Sequence, residues 1–473
     1  MICTIVLCCI ACKDEVKDLT SEEKIITLPM PTLDSSVLEH AVLYEANIRQ
    51  YSPEGTFDAF TKDIPQLKSL GVKIIWLMPI FPNSEKRRKA TGSVFVEDIP
   101  NVEEREKYLG SYYSVADYTG INPDLGTADD LSELIQTAHQ NDMYVILDWV
   151  ANHTGWDHAW IREHPEYYMK NKSGEITEPL NEDGSPKGWS DVADLDYNNQ
   201  AMQTEMRAAM QYWIQEFDID GYRCDVAYEV PTSFWKETIP ILQQEKPIFM
   251  LAEAELPELV TPTLFDMSYG WEGHHILNAI AKGEKKVQAF DAYLEKLDST
   301  WGEESMQMNF ITNHDENSWA GSVKARMGAA SETMLALSYC MPGMPLIYSG
   351  QEYDLDRSLK FFEKDSIPKL KGAVWPVLEK LGALKNSIPA MAGGKAAATY
   401  ERMETSNDDH MLCFRRKKGA SELYFIANLS NQPLQLTTPI SGSFLNQMTG
   451  KTETYRAGQI YEFAPWEYHI LTK

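Results

Sequence analysis

The chain has 473 residues, 43% hydrophobic and 24% charged, which is the composition of a soluble globular protein long enough for one large barrel and a smaller satellite domain. Seventy acidic residues against 43 basic ones leave a net charge of −27, which argues against nucleic acid or an anionic membrane surface as the main partner and leaves a neutral substrate open. Of seven cysteines, four (Cys3, Cys8, Cys9, Cys12) crowd the first dozen residues and three (Cys224, Cys340, Cys413) are scattered, so neither a disulfide framework nor a zinc site is indicated.

Met1 to Ala11 form a short apolar run that ends in a small residue before Cys12, too short to span a bilayer and placed like a secretory h-region. It resembles a bacterial lipoprotein signal over residues 1–12, although Cys9 stands where such signals usually have Leu and no Lys or Arg precedes the run. The resemblance implies export and a lipid anchor at Cys12, at the outer membrane or cell surface. Lys13-Asp14-Glu15 looks like an acidic surface-export signal, and residues 13–36, charged and carrying Pro29 and Pro31, read as a tether.

Alternation then begins. Ala41 to Ile48 reads as a strand, Thr56 to Leu70 as a helix stopped by Gly71, and Val72 to Pro79 as a second, buried strand. A helix from Ala128 to Asn141 leads into Tyr144 to Val150, and further strands follow at Ile219 to Cys224, Pro247 to Ala252, Thr263 to Met267, Met308 to Thr312 and Pro345 to Tyr348. Eight strands alternating with helices predict a (β/α)8 TIM barrel over 37–392, with its active site at the C-terminal ends of the strands. Residues 154–198, rich in Trp, Gly and Pro, are too long for a plain connection and read as a small excursion domain over the barrel mouth. After a last helix, Trp375 to Ile388, the turn-rich, strand-like stretch 393–473 predicts a C-terminal antiparallel β-sandwich.

The strand ends carry the chemistry. Arg223 and Asp225 sit two apart at the end of the fourth strand, so they share a face, and an Asp beside a guanidinium is expected to have a lowered pKa and stay ionised. The third strand ends Asp148-Trp149-Val150-Ala151-Asn152-His153, the fifth ends at Glu253, and the seventh at Asn313-His314-Asp315. Glu253 leaves an apolar strand, where desolvation raises a carboxyl pKa and favours an acid that keeps its proton.

This set, in this order, together with Gly71 to Pro79, Ala193-Asp194-Leu195-Asp196 and Gly343 to Glu352, resembles the α-amylase family, glycoside hydrolase family 13. The resemblance covers Ala41 to the C-terminus. It implies a retaining hydrolase in which Asp225 is the nucleophile, Glu253 the general acid/base, and Asp315 the carboxylate that stabilises the transition state. It further implies that His153 and His314 bind sugar hydroxyls, that Arg223 orients Asp225, that Asp148 braces the site, and that Tyr113 stacks on the sugar ring. Trp156, Trp160 and Trp189 are further platform candidates.

Departures from the family pattern define open questions. Ser111 stands where a His often precedes the stacking aromatic, and Tyr228 and Glu229 replace a Lys-His pair after the nucleophile. Asn152 and Asp194 match calcium ligands of the family, while Asp194 could equally cap a turn. The Ala193-Asp194-Leu195-Asp196 stretch resembles the Asp-Leu-Asp of α-1,4-acting amylases more than the Lys-Leu-Asn of neopullulanases and cyclodextrinases, and the resemblance implies α-1,4 cleavage of starch-like α-glucans or maltooligosaccharides. Neopullulanase or cyclodextrinase, α-glucosidase and transglycosylase activities share the same intermediate and stay open, as does a catalytically silent glucan-binding relative.

Overall fold

A computed structural model describes residues 33–473 apart from Pro262 and Glu303. The leader, Cys12 and most of the expected tether lie outside the described residues. Within the last of that tether, the Asp34 carboxylate accepts from the amides of Ser36 and Val37 and so caps a helix, Ser35–His40.

Eight parallel strands close into a barrel in chain order: β1 Val42–Ala46, β2 Val72–Leu77, β3 Tyr144–Trp149, β4 Gly221–Cys224, β5 Phe249–Ala252, β6 Met267–Tyr269, β7 Gln307–Asn309 and β8 Met344–Tyr348, with β8 pairing back onto β1. The strands are mostly apolar because both faces are covered. Alternation sorts them into two cores. Leu43, Ile74, Trp76, Ile146, Leu251 and Tyr269 fill the barrel, while Val42, Tyr44, Ile75, Val145, Tyr222 and Cys224 pack outward against the helices.

The connections show why the sequence folds this way. Thr127 and Asp130 form a reciprocal capping box at the start of helix Ala128–Gln140. Gly71 turns the chain into β2 with φ of 77°, and a Cβ there would lie 2.6 Å from the Gly382 backbone of the last barrel helix, Val374–Ser387.

Two sequence expectations are corrected. The helix expected over Thr56 to Leu70 is broken into Phe57–Thr61, Ile64–Leu67 and a 3-10 turn, Lys68–Leu70, because Pro65 has no N–H to continue the ladder. The sixth strand starts later than expected, at Met267, because Asp266 turns its carboxylate back onto the Met250 amide at 2.9 Å before pairing begins.

Two long insertions rise on the catalytic side. Residues 78–127 follow β2 and carry Tyr113, an insertion the alternation pattern did not single out. The excursion after β3 is pinned by an antiparallel pair, His153–Gly155 with Val192–Asp194. The C-terminal domain is a six-stranded antiparallel sheet with a separate two-stranded ribbon, Leu434–Thr437 and Ile460–Phe463, over a core of its own.

Candidate active site

Parity carries each inner column of side chains from the apolar barrel core to a polar cap. One step beyond Leu43, Ile146 and Leu251 stand Glu45, Asp148 and Glu253, and β4 adds Arg223 and Asp225. The structure thus brings together Asp148, Arg223, Asp225, Glu253, His314 and Asp315, with Tyr113 descending from the β2 insertion.

Arg223 is the hub and has no exposed surface. Its Nη1 donates to Asp148 Oδ1 and to Asp225 Oδ1, both at 2.8 Å, and its Nε donates to Tyr269 Oη at 3.1 Å. Its Nη2 lies 2.8 Å from Glu253 Oε2 but outside hydrogen-bond geometry, so that contact is coulombic. Asp148 Oδ2 also accepts from Trp76 Nε1 and Tyr113 Oη, each at 3.1 Å. A buried charge this heavily bonded is costly to disturb.

The reactive carboxylates are held by backbone as well. The Asp225 amide donates to the Trp149 carbonyl at 2.9 Å, and the Glu253 amide to the Cys224 carbonyl at 3.0 Å. Glu253 Oε2 accepts the Val226 amide at 2.7 Å. Val226 has φ of 36°, a strained conformation for a β-branched residue, and that twist turns its N–H toward Glu253.

Charge balance sets the protonation. Among the described residues, Glu45, Asp148, Asp225, Glu253 and Asp315 pair with two basic side chains, Arg223 and His314. Burial raises Glu253 to about 7, with Arg223 opposing and Asp225 and Asp315 adding. Burial also raises Asp225 to about 6, although Arg223 pulls it down. This corrects the expectation that Arg223 would lower Asp225 below its ordinary value: one guanidinium shared among three carboxylates does not offset desolvation. The order still suits a division of roles, since Asp225 ionises before Glu253.

The two histidines are opposites. Burial lowers His153 to about 3, so it is neutral, with its ring 5.9 Å edge-on to Trp189. His314 resists burial because Asp315 and Glu45 raise it to about 9. Its ring stacks on Tyr113 with centroids 5.4 Å apart, and its Nε2 contacts Tyr113 Oη at 2.8 Å and Asp315 Oδ2 at 3.3 Å. Asp315 leads into a π-helical turn, Glu316–Ala320, a distortion common at functional sites.

Sequence reasoning missed Glu45 and Trp319. Glu45 was visible as a lone carboxylate at an inward position of AVLYEANI. Trp319, 62% exposed and in the π-helical turn that follows Asp315, packs on Phe361 and Phe362 with centroids 5.1 and 6.2 Å away, giving an aromatic shelf. Of the three expected platforms, Trp156 is buried with Arg87 over its ring, and Trp160 packs among Tyr118, His158 and Tyr167; Trp189 alone of the three stands beside a site histidine.

Asn152 and Asp194 are neighbours, Nδ2 to Oδ1 at 3.5 Å. Among the described residues no three His, Cys, Asp or Glu side chains converge on a metal position, whereas calcium takes roughly 6 to 8 oxygens. Lys187 instead pairs with Glu229 next to Asp194, which burial and Glu229 raise to about 7 against Lys187. Asn152 and Asp194 would offer a calcium ion two side-chain oxygens, with backbone carbonyls and water left to supply the rest. Tyr228 is half exposed beside Glu253.

The family described as "Alpha amylase, catalytic domain" matches residues 35–410. The alpha-amylase MalA of Haloarcula japonica is 25% identical over 325 residues, covering 67% of this chain and 44% of that protein. A cyclomaltodextrinase of Thermoanaerobacter pseudethanolicus is 25% identical over 471 residues, 90% of this chain and 73% of that one. Three curated relatives are spanned to 44%, 65% and 49% of their own length. Among solved structures, the maltogenic alpha-amylase AmyB of Thermotoga neapolitana superposes with a TM-score of 0.80 at 25% identity, covering 92% of this chain and 99% of that one. An alpha-amylase of Lactobacillus plantarum does so with a TM-score of 0.80 at 27% identity, covering 93% and 100%.

Proposed function

Because this chain belongs to the α-amylase catalytic-domain family, we propose that it is a retaining glycoside hydrolase that cleaves α-1,4-glucosidic bonds of starch-like α-glucans or maltooligosaccharides. The observation that carries this reading is the trio around Arg223, with Asp225 on Nη1, Glu253 beside Nη2 and Asp148 behind. Asp225, anchored and the first of the pair to ionise, attacks the anomeric carbon and forms a glycosyl ester. Glu253, which holds its proton longer, gives it to the departing glycosidic oxygen and then takes one from the water that hydrolyses the ester. Asp315, at the rim, faces the positive charge that develops on the sugar. Tyr113 and Trp319 supply apolar faces for sugar rings.

A second reading, opening of cyclodextrins, draws on the broad match to a cyclomaltodextrinase. Tyr228, exposed, and Glu229, paired with Lys187, stand in place of the Lys-His pair on the leaving-group side and are compatible with either substrate. Incubation with soluble starch, pullulan, β-cyclodextrin and maltoheptaose, with products followed by chromatography, separates the readings. Mixed short maltooligosaccharides from starch support the first, and preferential ring opening the second. No product from any of the four overturns both and favours a glucan-binding role.

The same reading takes the chain as exported and lipid-anchored at Cys12, resting on the leader sequence alone. Fatty-acid labelling that is lost in Cys12→Ser tests it.

A further inference from the structure

Glu45 enters the site from behind, and nothing in the proposed reaction uses it directly. It lies on β1, opposite Tyr348 of β8 and Trp76 of β2, with no exposed surface. A carboxylate is expensive to place in a barrel core of Leu43, Trp76 and Leu346, and an uncharged residue would fill the column at lower cost. What it does there is specific. Oε1 accepts from His314 Nδ1 in a short contact and lies 3.4 Å from the His314 amide, while Oε2 has no hydrogen-bond partner. On the far side of the ring, Nε2 faces Tyr113 Oη and Asp315. Trp76 closes one edge of the imidazole at 5.9 Å and Tyr113 covers a face.

We propose that Glu45 is a positioning residue of this site: it fixes the His314 ring from behind and balances its charge, so that His314 presents a cationic Nε2–H donor to the substrate side. The groups facing this pair are Asp315 on the same strand end, Arg223 of β4, Asp148 of β3, Tyr113 of the β2 insertion, Tyr269 of β6 and Tyr348 of β8. Arg223 opposes the imidazolium and Asp315 supports it, so Glu45 supplies the second anion that tips the ring to its charged form. A neutral imidazole bonded through Nδ1–H would leave Nε2 as an acceptor only. The cation donates through both nitrogens.

The kinetic part of the test rests on the hydrolase reading, whereas the spectroscopic part needs no substrate. Glu45→Gln keeps an oxygen for Nδ1–H and removes the charge. In the substrate-free protein, the ring nitrogens of His314, assigned by their loss in His314→Gln, are expected to show imidazolium at about pH 7.5 and to titrate at or below about pH 6.5 in Glu45→Gln. On maltoheptaose, Glu45→Gln is expected to lower kcat/KM roughly 10-fold at about pH 7.5, with a smaller loss near about pH 5.5, where the ring is protonated without help. Added to His314→Gln, it should cost nothing more. An unchanged His314 titration, a loss equal at every pH, or full additivity with His314→Gln would overturn the proposal. If Glu45→Gln does not fold, Glu45→Asp replaces it: the charge remains, so a neutral His314 at about pH 7.5 in that variant also overturns it. Absence of glucan cleavage alongside the expected titrations removes the hydrolase reading and leaves the positioning role standing.

Discussion

Arg223 Nη1 bonds Asp225 at 2.8 Å while its Nη2 sits 2.8 Å from Glu253 without a hydrogen bond. One buried guanidinium therefore binds Asp225 firmly and leaves Glu253 held by the Val226 amide instead. That difference lets Glu253 gain and lose a proton while Asp225 stays fixed.

Asp225→Asn and Glu253→Gln are each expected to lower kcat on maltoheptaose roughly 10³-fold or more while leaving the fold intact. Circular dichroism and steady-state kinetics check both arms. Near-normal turnover in both variants would remove the assignment of roles.

The proposed reaction uses Asp225 ionised and Glu253 protonated. With Asp225 at about 6 and Glu253 at about 7, kcat/KM should fall below about pH 6 and above about pH 7, a narrow bell. The limbs report the coupled set rather than single residues. A pH–rate profile that is flat from about pH 5 to about pH 9 would contradict this protonation scheme.

Glu253 binds its proton more tightly folded than unfolded, so stability falls as pH rises from its ordinary 4.5 through about 7. Glu253→Gln removes the penalty. Its Tm is expected to exceed wild type by roughly 2 °C or more above about pH 7 and to match it below about pH 4.5. Differential scanning calorimetry at the two pH values reads the sign.

Trp319 leaves its shelf exposed, and Trp319→Ala is expected to raise KM for maltoheptaose about 3- to 30-fold with little change in kcat, as loss of uniform sugar binding does. An unchanged KM would place the sugar elsewhere on the mouth.

Lys187, paired with Glu229 beside Asp194, already supplies positive charge at the base of the excursion. Exhaustive chelation is therefore expected to shift Tm by less than about 2 °C. A larger drop, restored by calcium, would show that Asn152, Asp194 and backbone oxygens complete a site after all.

Strand parity was legible in the chain itself. Arg223 and Asp225 two apart, Asp148 and Glu253 at strand ends, and Gly71 before β2 follow from local rules of alternation and turn chemistry, which act over a few residues. The barrel follows too, because eight apolar strands interleaved with helices have few other ways to bury both faces. The tertiary structure alone decided how charge is shared. Whether Asp225 is lowered by Arg223 or raised by burial depends on how many carboxylates close on one guanidinium, and these come from the ends of β3, β4 and β5, far apart in the chain. It also decided that Glu45 meets His314, that Trp156 is core while Trp319 is rim, and that Lys187 stands beside Asp194, since desolvation and long-range pairing depend on what surrounds a side chain in space.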